Sequence, residues 1–158
     1  MGNNKFDFSS LLPNEWLLVF FYAANNKPTY GKLMLIKQIF ILIKEVLPEL
    51  GPIFEFTPHY YGPHSFDLIA AIEELSKKGL VDIKTSGSRT DYKLTNAGIE
   101  AAQKIQQKLP TEVFQKIETF KRSISELSQG GILRYVYGKY PEYTQNSLIR
   151  ESVENGIQ

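Results

Sequence analysis

The amino-acid sequence predicts an α+β fold that is mostly helical. Three observations carry that expectation. Apolar residues recur at helical spacing over long stretches, with Ser, Thr, Pro and Gly where helices begin and end. Leu80-Val81-Asp82-Ile83-Lys84 and Thr90-Asp91-Tyr92-Lys93-Leu94 alternate in polarity about Ser86-Gly87-Ser88, the pattern of a β-hairpin. The order is helix, helix, short strand, helix, hairpin, helix, which puts the hairpin where the wing of a winged helix-turn-helix domain stands. The winged-helix domain is expected over residues 10–109, a C-terminal helical extension over 110–145, and a flexible tail over 146–158.

Each element has a local reason. Pro13 suits the first position of a helix, and Trp16, Leu17, Phe20 and Phe21 follow on one side until Asn25-Asn26, before turn material at Lys27-Pro28-Thr29. The second helix begins near Gly31. Leu33, Ile36, Ile39, Phe40 and Ile43 mark its buried stripe, and Leu35, Ile41 and Leu42 make it apolar nearly all round, so it should lie at the centre. Pro48 and Gly51-Pro52 close it. The strand-forming run from Ile53 to Tyr61 contains Pro58, which restricts it to an edge strand or an extended connector. Gly62-Pro63-His64-Ser65 is expected to turn, with Ser65 capping a third helix that holds Phe66, Ile69, Ala70, Ile72 and Leu75 and stops at Gly79. Thr95 or Asn96 caps a fourth helix that ends near Leu109. A fifth, from about Thr111 to Ser128, carries Val113, Phe114, Ile117, Phe120, Ile124 and Leu127 on one face. Gly130-Gly131 should interrupt before a short sixth helix with Leu133, Val136, Tyr137 and Tyr140, closed by Pro141.

Composition narrows the function classes. The chain of 158 residues is 42% hydrophobic and 22% charged, ordinary for a globular protein. With no cysteine there are no disulfides, thiolate metal sites or cysteine nucleophiles, which fits a reducing compartment. No signal peptide, myristoylation signal or membrane span is legible, so the protein is expected in the cytoplasm. No Gly-rich phosphate loop or Gly-x-Ser-x-Gly elbow is present, and the adjacent Glu73 and Glu74 point different ways on a helix. A binding protein without cofactor, metal or catalytic residues is therefore expected. His59 and His64, the two histidines, lack the company a metal ligand set needs.

The His59-Tyr60-Tyr61-Gly62-Pro63-His64-Ser65-Phe66-Asp67-Leu68 stretch resembles the YwgA-like winged-helix proteins of bacteria and archaea, and its Tyr-Gly-Pro turn is similar to that of the Panacea antitoxin domain. Gly31-Lys32-Leu33 with Ile36-Lys37-Gln38-Ile39-Phe40 resembles the second helix of those families. Glu74-Leu75 through Gly79-Leu80-Val81 resembles their junction into the wing. The resemblance implies a DNA-binding regulator, transcriptional or antitoxin-type.

On that reading the wing residues Lys84, Arg89 and Lys93 would reach phosphates, with Arg89 at the tip. His64, Ser65, Lys77 and Lys78 would belong to the groove-reading third helix, and Lys32 and Lys37 could approach the backbone. Charge argues the other way. Net charge is only +1, and from Glu55 to Leu80 two lysines face four acids, a local −2. A second cationic group, Lys104, Lys108, Lys116, Lys121 and Arg122, reads as surface charge, with Glu100–Lys104 and Glu112–Lys116 spaced as i,i+4 pairs. The alternative is a winged helix that binds a protein partner through the acidic third helix and the aromatic tail. The apolar faces of the fifth and sixth helices could also be shared in a homodimer.

Overall fold

A computed structural model describes residues 5–60 and 62–145. A 3-10 turn, Phe8–Ser10, stacks Phe8 on Trp16 before α1 (Pro13–Asn26) begins. Pro13 stands in the first turn of α1, and Glu15 reaches back to accept the Leu12 N–H at 2.8 Å. Regular helix stops at Tyr22: Ala23 is extended, and Ala24 and Asn25 follow at φ 57° in the left-handed region. Then come β1 (Thr29–Tyr30), α2 (Lys32–Glu45) and a 3-10 turn, Pro48–Leu50. They are followed by β2 (Thr57–His59), β3 (Gly62–His64), α3 (Phe66–Lys77), β4 (Val81–Ser86) and β5 (Arg89–Leu94). Three helices finish the described chain, α4 (Asn96–Gln106), α5 (Thr111–Ile124) and α6 (Gln129–Lys139), with a last 3-10 turn at Pro141–Tyr143.

The α+β, mostly helical architecture stands, with β4 and β5 as the wing-like hairpin. The long hairpin turns on Gly87, whose φ of +63° suits a residue without Cβ. Two strands differ from expectation. The segment read as turn material supplies β1, which adds a third strand in the order β1-β5-β4, with Thr29 opposite Tyr92. The Pro58 run and the expected Gly62–Ser65 turn together form a second small hairpin, β2 against β3. Its ladder tolerates proline because Pro58 and Pro63, both without an N–H, lie opposite each other. Gly62, at φ +96°, opens β3 directly after the reversal, opposite His59.

The extension is bound into the main core. Val113 and Ile117 of α5 join the cluster formed by α1, α2, α3 and the sheet. A second cluster packs Ile132, Leu133, Val136 and Tyr137 of α6 onto Phe40 and Ile41 of α2. This buries the face of Tyr137, with Tyr140 packed at its edge and meeting Phe40 edge-on at 5.1 Å. Much of the apolar face of each C-terminal helix thus packs within the chain, while Leu127 stays 37% exposed.

Three boundaries shift. The fourth helix ends at Gln106 and the fifth at Ile124, earlier than the apolar spacing suggests. Gly130 and Gly131 lie inside the first turn of α6 rather than before it, because the Ser128 hydroxyl accepts the Gly131 N–H at 3.0 Å and caps the helix there. The expected tail, 146–158, lies outside the described residues. Among the described residues no helix is long and apolar enough to cross a membrane.

Candidate functional site

The residues read as DNA contacts do not form one surface. On the wing, Lys84, Arg89 and Lys93 are all exposed. Register sets Lys84 across from Asp91 and Asp82 across from Lys93, so each lysine is opposed by an acid. Arg89 stays exposed near the tip, but its charge is paired. Its guanidinium is held by Asp91 through two hydrogen bonds, 2.8 and 3.0 Å, and lies 4.9 Å from the Tyr30 ring centroid. Asp91 also keeps the Arg89 guanidinium more firmly protonated than usual, and Arg89 holds the Asp91 carboxyl below its usual value.

The third helix gives little to a phosphate. Its exposed residues include Phe66, Asp67, Ala70, Glu73 and Glu74, with Lys77 and Lys78 at the end and Lys78 paired to Glu74 at 3.4 Å. Ser65 is the N-cap expected, accepting the Leu68 N–H at 3.2 Å, but it is fully buried and faces no groove. His64 is also drawn in. It belongs to β3 rather than to an exposed turn, and its ring stacks on His59 at 4.8 Å.

Lys37 is the largest correction. It is 1% exposed, so no phosphate backbone can approach it. Burial lowers its pKa to about 7. The sequence held a signal for this: a helix apolar all round leaves no wet edge for a lysine at Lys37. Lys121 repeats the lesson. It was read among surface charges but is 1% exposed, on the face that Val113, Ile117 and Ile124 share. Its ammonium donates to the carbonyls of Phe21 and Ala23 at 2.8 and 2.9 Å, the groups left open where α1 loses helical geometry. Glu118 accepts the Ala24 N–H at 3.1 Å and pairs with Arg122. Among the described residues, ion pairs at i,i+4 close at Glu74–Lys78 and Glu118–Arg122, not at Glu100–Lys104 or Glu112–Lys116.

What the structure brings together is a corner that the sequence did not announce. Gly31 donates its N–H to Thr90 O at 2.9 Å, which ties the start of α2 to the wing. The β2–β3 hairpin lies against the same end of α2. Between them is a cavity of about 360 Å³ whose basic lining is Lys32, Lys37, His59 and His64. Leu33, Ile36 and Pro63 give it an apolar wall, and Ser88 and Thr90 close it from the wing. Among the described residues no carboxylate lines it. Burial, and then the charges of His59, Lys32 and Lys37, hold the His64 imidazole below its usual pKa. The sequence does not point to His59, Ser88 and Thr90 as binding residues, because they come from two separate hairpins whose meeting is non-local.

The two rings lead to the surface. His64 meets Phe66 edge-on at 4.7 Å and His59 meets Tyr60 at 4.9 Å. Phe66 and Tyr60 are 67% and 56% exposed, an aromatic patch at the head of α3. Among the described residues no three His, Cys, Asp or Glu side chains gather as a metal ligand set.

Fold and corner together define a helix-rich α+β domain with a wing-like hairpin and a basic cavity between that hairpin's turn and the start of α2. Residues 59–148, more than half of the chain, match DUF4364, a domain of unknown function, and the chain belongs to that family. The matched span starts at His59 and takes in β3, α3, the wing and the three C-terminal helices. No curated protein and no solved structure matches the chain.

Proposed function

We propose that this chain is a non-catalytic winged-helix module that binds a protein partner, one with a basic surface and an apolar socket. The observation that carries this reading is the surface of α3. Phe66, 67% exposed at its head, is followed outward by Asp67, Glu73 and Glu74. An exposed aromatic anchor with an acidic surround suits a desolvated contact flanked by complementary charge. The same surface opposes phosphates, and the wing cations that would answer them face acids across the strands. The Tyr-Gly-Pro turn, similar to that of the Panacea antitoxin domain, supports an antitoxin-type role in which the partner is the protein neutralised.

The second reading, a DNA-binding regulator, rests on the helix-then-hairpin order and on Lys77, Lys78, Lys84 and Lys93, which are exposed. One pair of measurements separates the two. Fluorescence anisotropy with random-sequence duplex DNA should show no micromolar binding that falls steeply with salt. Cross-linking in the native host should capture a partner that survives nuclease treatment, and Phe66→Ala and Glu73→Lys/Glu74→Lys should each lose it without lowering the melting temperature. Steep salt-dependent DNA binding, with partner capture unaffected by these changes, would replace the protein reading with the DNA reading.

A further inference from the structure

The cavity at the start of α2 has a chemistry that partner docking does not use. Lys32 occupies the first position of α2, where a cation is electrostatically misplaced against the positive end of the helix. No acid stands in that first turn, and Gly31 offers no side-chain cap, so the positive end is left uncompensated. The His59 and His64 rings stack at 4.8 Å nearby, and two imidazoles this close repel once both are protonated. The buried Lys37 belongs to the same lining and adds positive charge there when protonated. Local rules broken in one place, with no acid among the described lining residues, mark a functional position more often than a structural one.

We propose that this cavity binds a small phosphate monoester. The phosphate is held by Lys32 and the His59–His64 pair, and an apolar or aromatic body lies along Leu33, Ile36 and Pro63. A dianion favours the protonated forms of Lys37 and the imidazoles beside Lys32 more strongly than a carboxylate of single charge does. The volume of about 360 Å³ is that of a small-metabolite site. The apolar wall explains why a bare inorganic ion would leave part of the cavity unfilled. Because His64 contacts both the cavity and Phe66, occupancy would be felt at the head of α3. The site itself does not depend on the partner reading.

The chain contains just two histidines, so its imidazole NMR spectrum reports on this cavity alone. Titration with phenyl phosphate at low salt should shift both Hε1 resonances saturably and raise the His64 pKa by about one unit, as a nearby dianion favours the protonated ring. Benzoate and inorganic phosphate should bind more weakly. Lys32→Gln and His64→Gln should each weaken phenyl phosphate about tenfold, the loss expected for one charge-assisted hydrogen bond. Lys32 is exposed, so that variant should keep its fold, which its melting curve checks. The proposal is overturned by an absence of saturable shifts, or by unchanged affinity in both variants. Displacement of phenyl phosphate by a short DNA duplex at equal phosphate concentration would also overturn it, since the site would then belong to a nucleic-acid backbone.

Discussion

Two seams of this molecule each bury a lysine to 1% exposure, and they do so for different ends. Where α5 crosses the end of α1, Lys121 meets two carbonyls at 2.8 and 2.9 Å and the Phe20 ring at 5.3 Å. That lysine closes a helix terminus whose last residues turn left-handed, and it does not line the cavity that Tyr22, Asn25, Asn26, Phe114 and Glu118 form at the same seam. Where the β2–β3 hairpin meets α2, Lys37 lies under a cavity lined by three more basic side chains. Its stem packs beside Gly62, and Tyr137 of α6 backs the same glycine. The first seam uses a buried cation to finish the backbone's hydrogen bonding. The second concentrates positive charge at a solvent-reachable corner. Burial of a charge alone therefore does not mark a site; the cavity and the company of like charges do.

The comparison can be broken from the structural side first. Lys121→Met keeps most of the packing volume but orphans two buried carbonyls, and should cost about 3 kcal/mol in chemical denaturation. An unchanged midpoint would show that the cap is dispensable. The same seam gives a pH signature. Burial, opposed by Glu118, lowers the Lys121 pKa from 10.5 to about 7, and burial takes Lys37 down similarly. The unfolded chain thus holds more protons between those values, so stability should rise as pH climbs from about 7 toward 10. A melting temperature that falls across that window would contradict the assignment. In Lys121→Met the rise should be smaller.

At the second seam, Gly62→Ala should cost about 2 kcal/mol. The residue is at φ +96°, and an added Cβ would come within 3.1 Å of the Tyr137 ring and 3.5 Å of Lys37 Cε. The histidine resonances should move with it, because the same turn sets the His59–His64 stack. If the fold is weakened while both resonances stay in place, the hairpin does not position the rings.

The smallest effect is expected where α6 is clipped to α2 at the surface. Glu45 accepts from Tyr140 at 2.6 Å and Tyr135 at 2.8 Å and pairs with Lys139 at 3.0 Å. Burial pushes its carboxyl up, but these hydrogen bonds and the Lys139 charge outweigh it and hold the pKa below 4.5. That stability is full above the unfolded value and is lost as pH falls through the folded one. Glu45→Gln should therefore cost less than about 1 kcal/mol near neutrality and flatten the acid limb of the stability curve. A loss comparable to that of Lys121→Met would mean that the two C-terminal helices are held equally at both ends.

The sequence by itself determined the helices, the wing and the core, because those depend on spacing within a dozen residues. The Ser65 and Thr95 caps, the Gly87 turn and the Tyr137 face are all local facts, set by a hydroxyl, a missing Cβ or a 3.6-residue period. Even the burial of Lys121 was written in its spacing from Ile117 and Ile124. It was masked by the general preference of lysine for water. Only the tertiary structure decided which charges meet. It paired Lys139 with Glu45, drew His64 into a cavity wall and buried Ser65. It also set Lys32 beside His59, His64 and the wing tip through contacts tens of residues apart. Electrostatic character belongs to distances in space, and for residues on different elements those distances exist only once the chain has closed on itself.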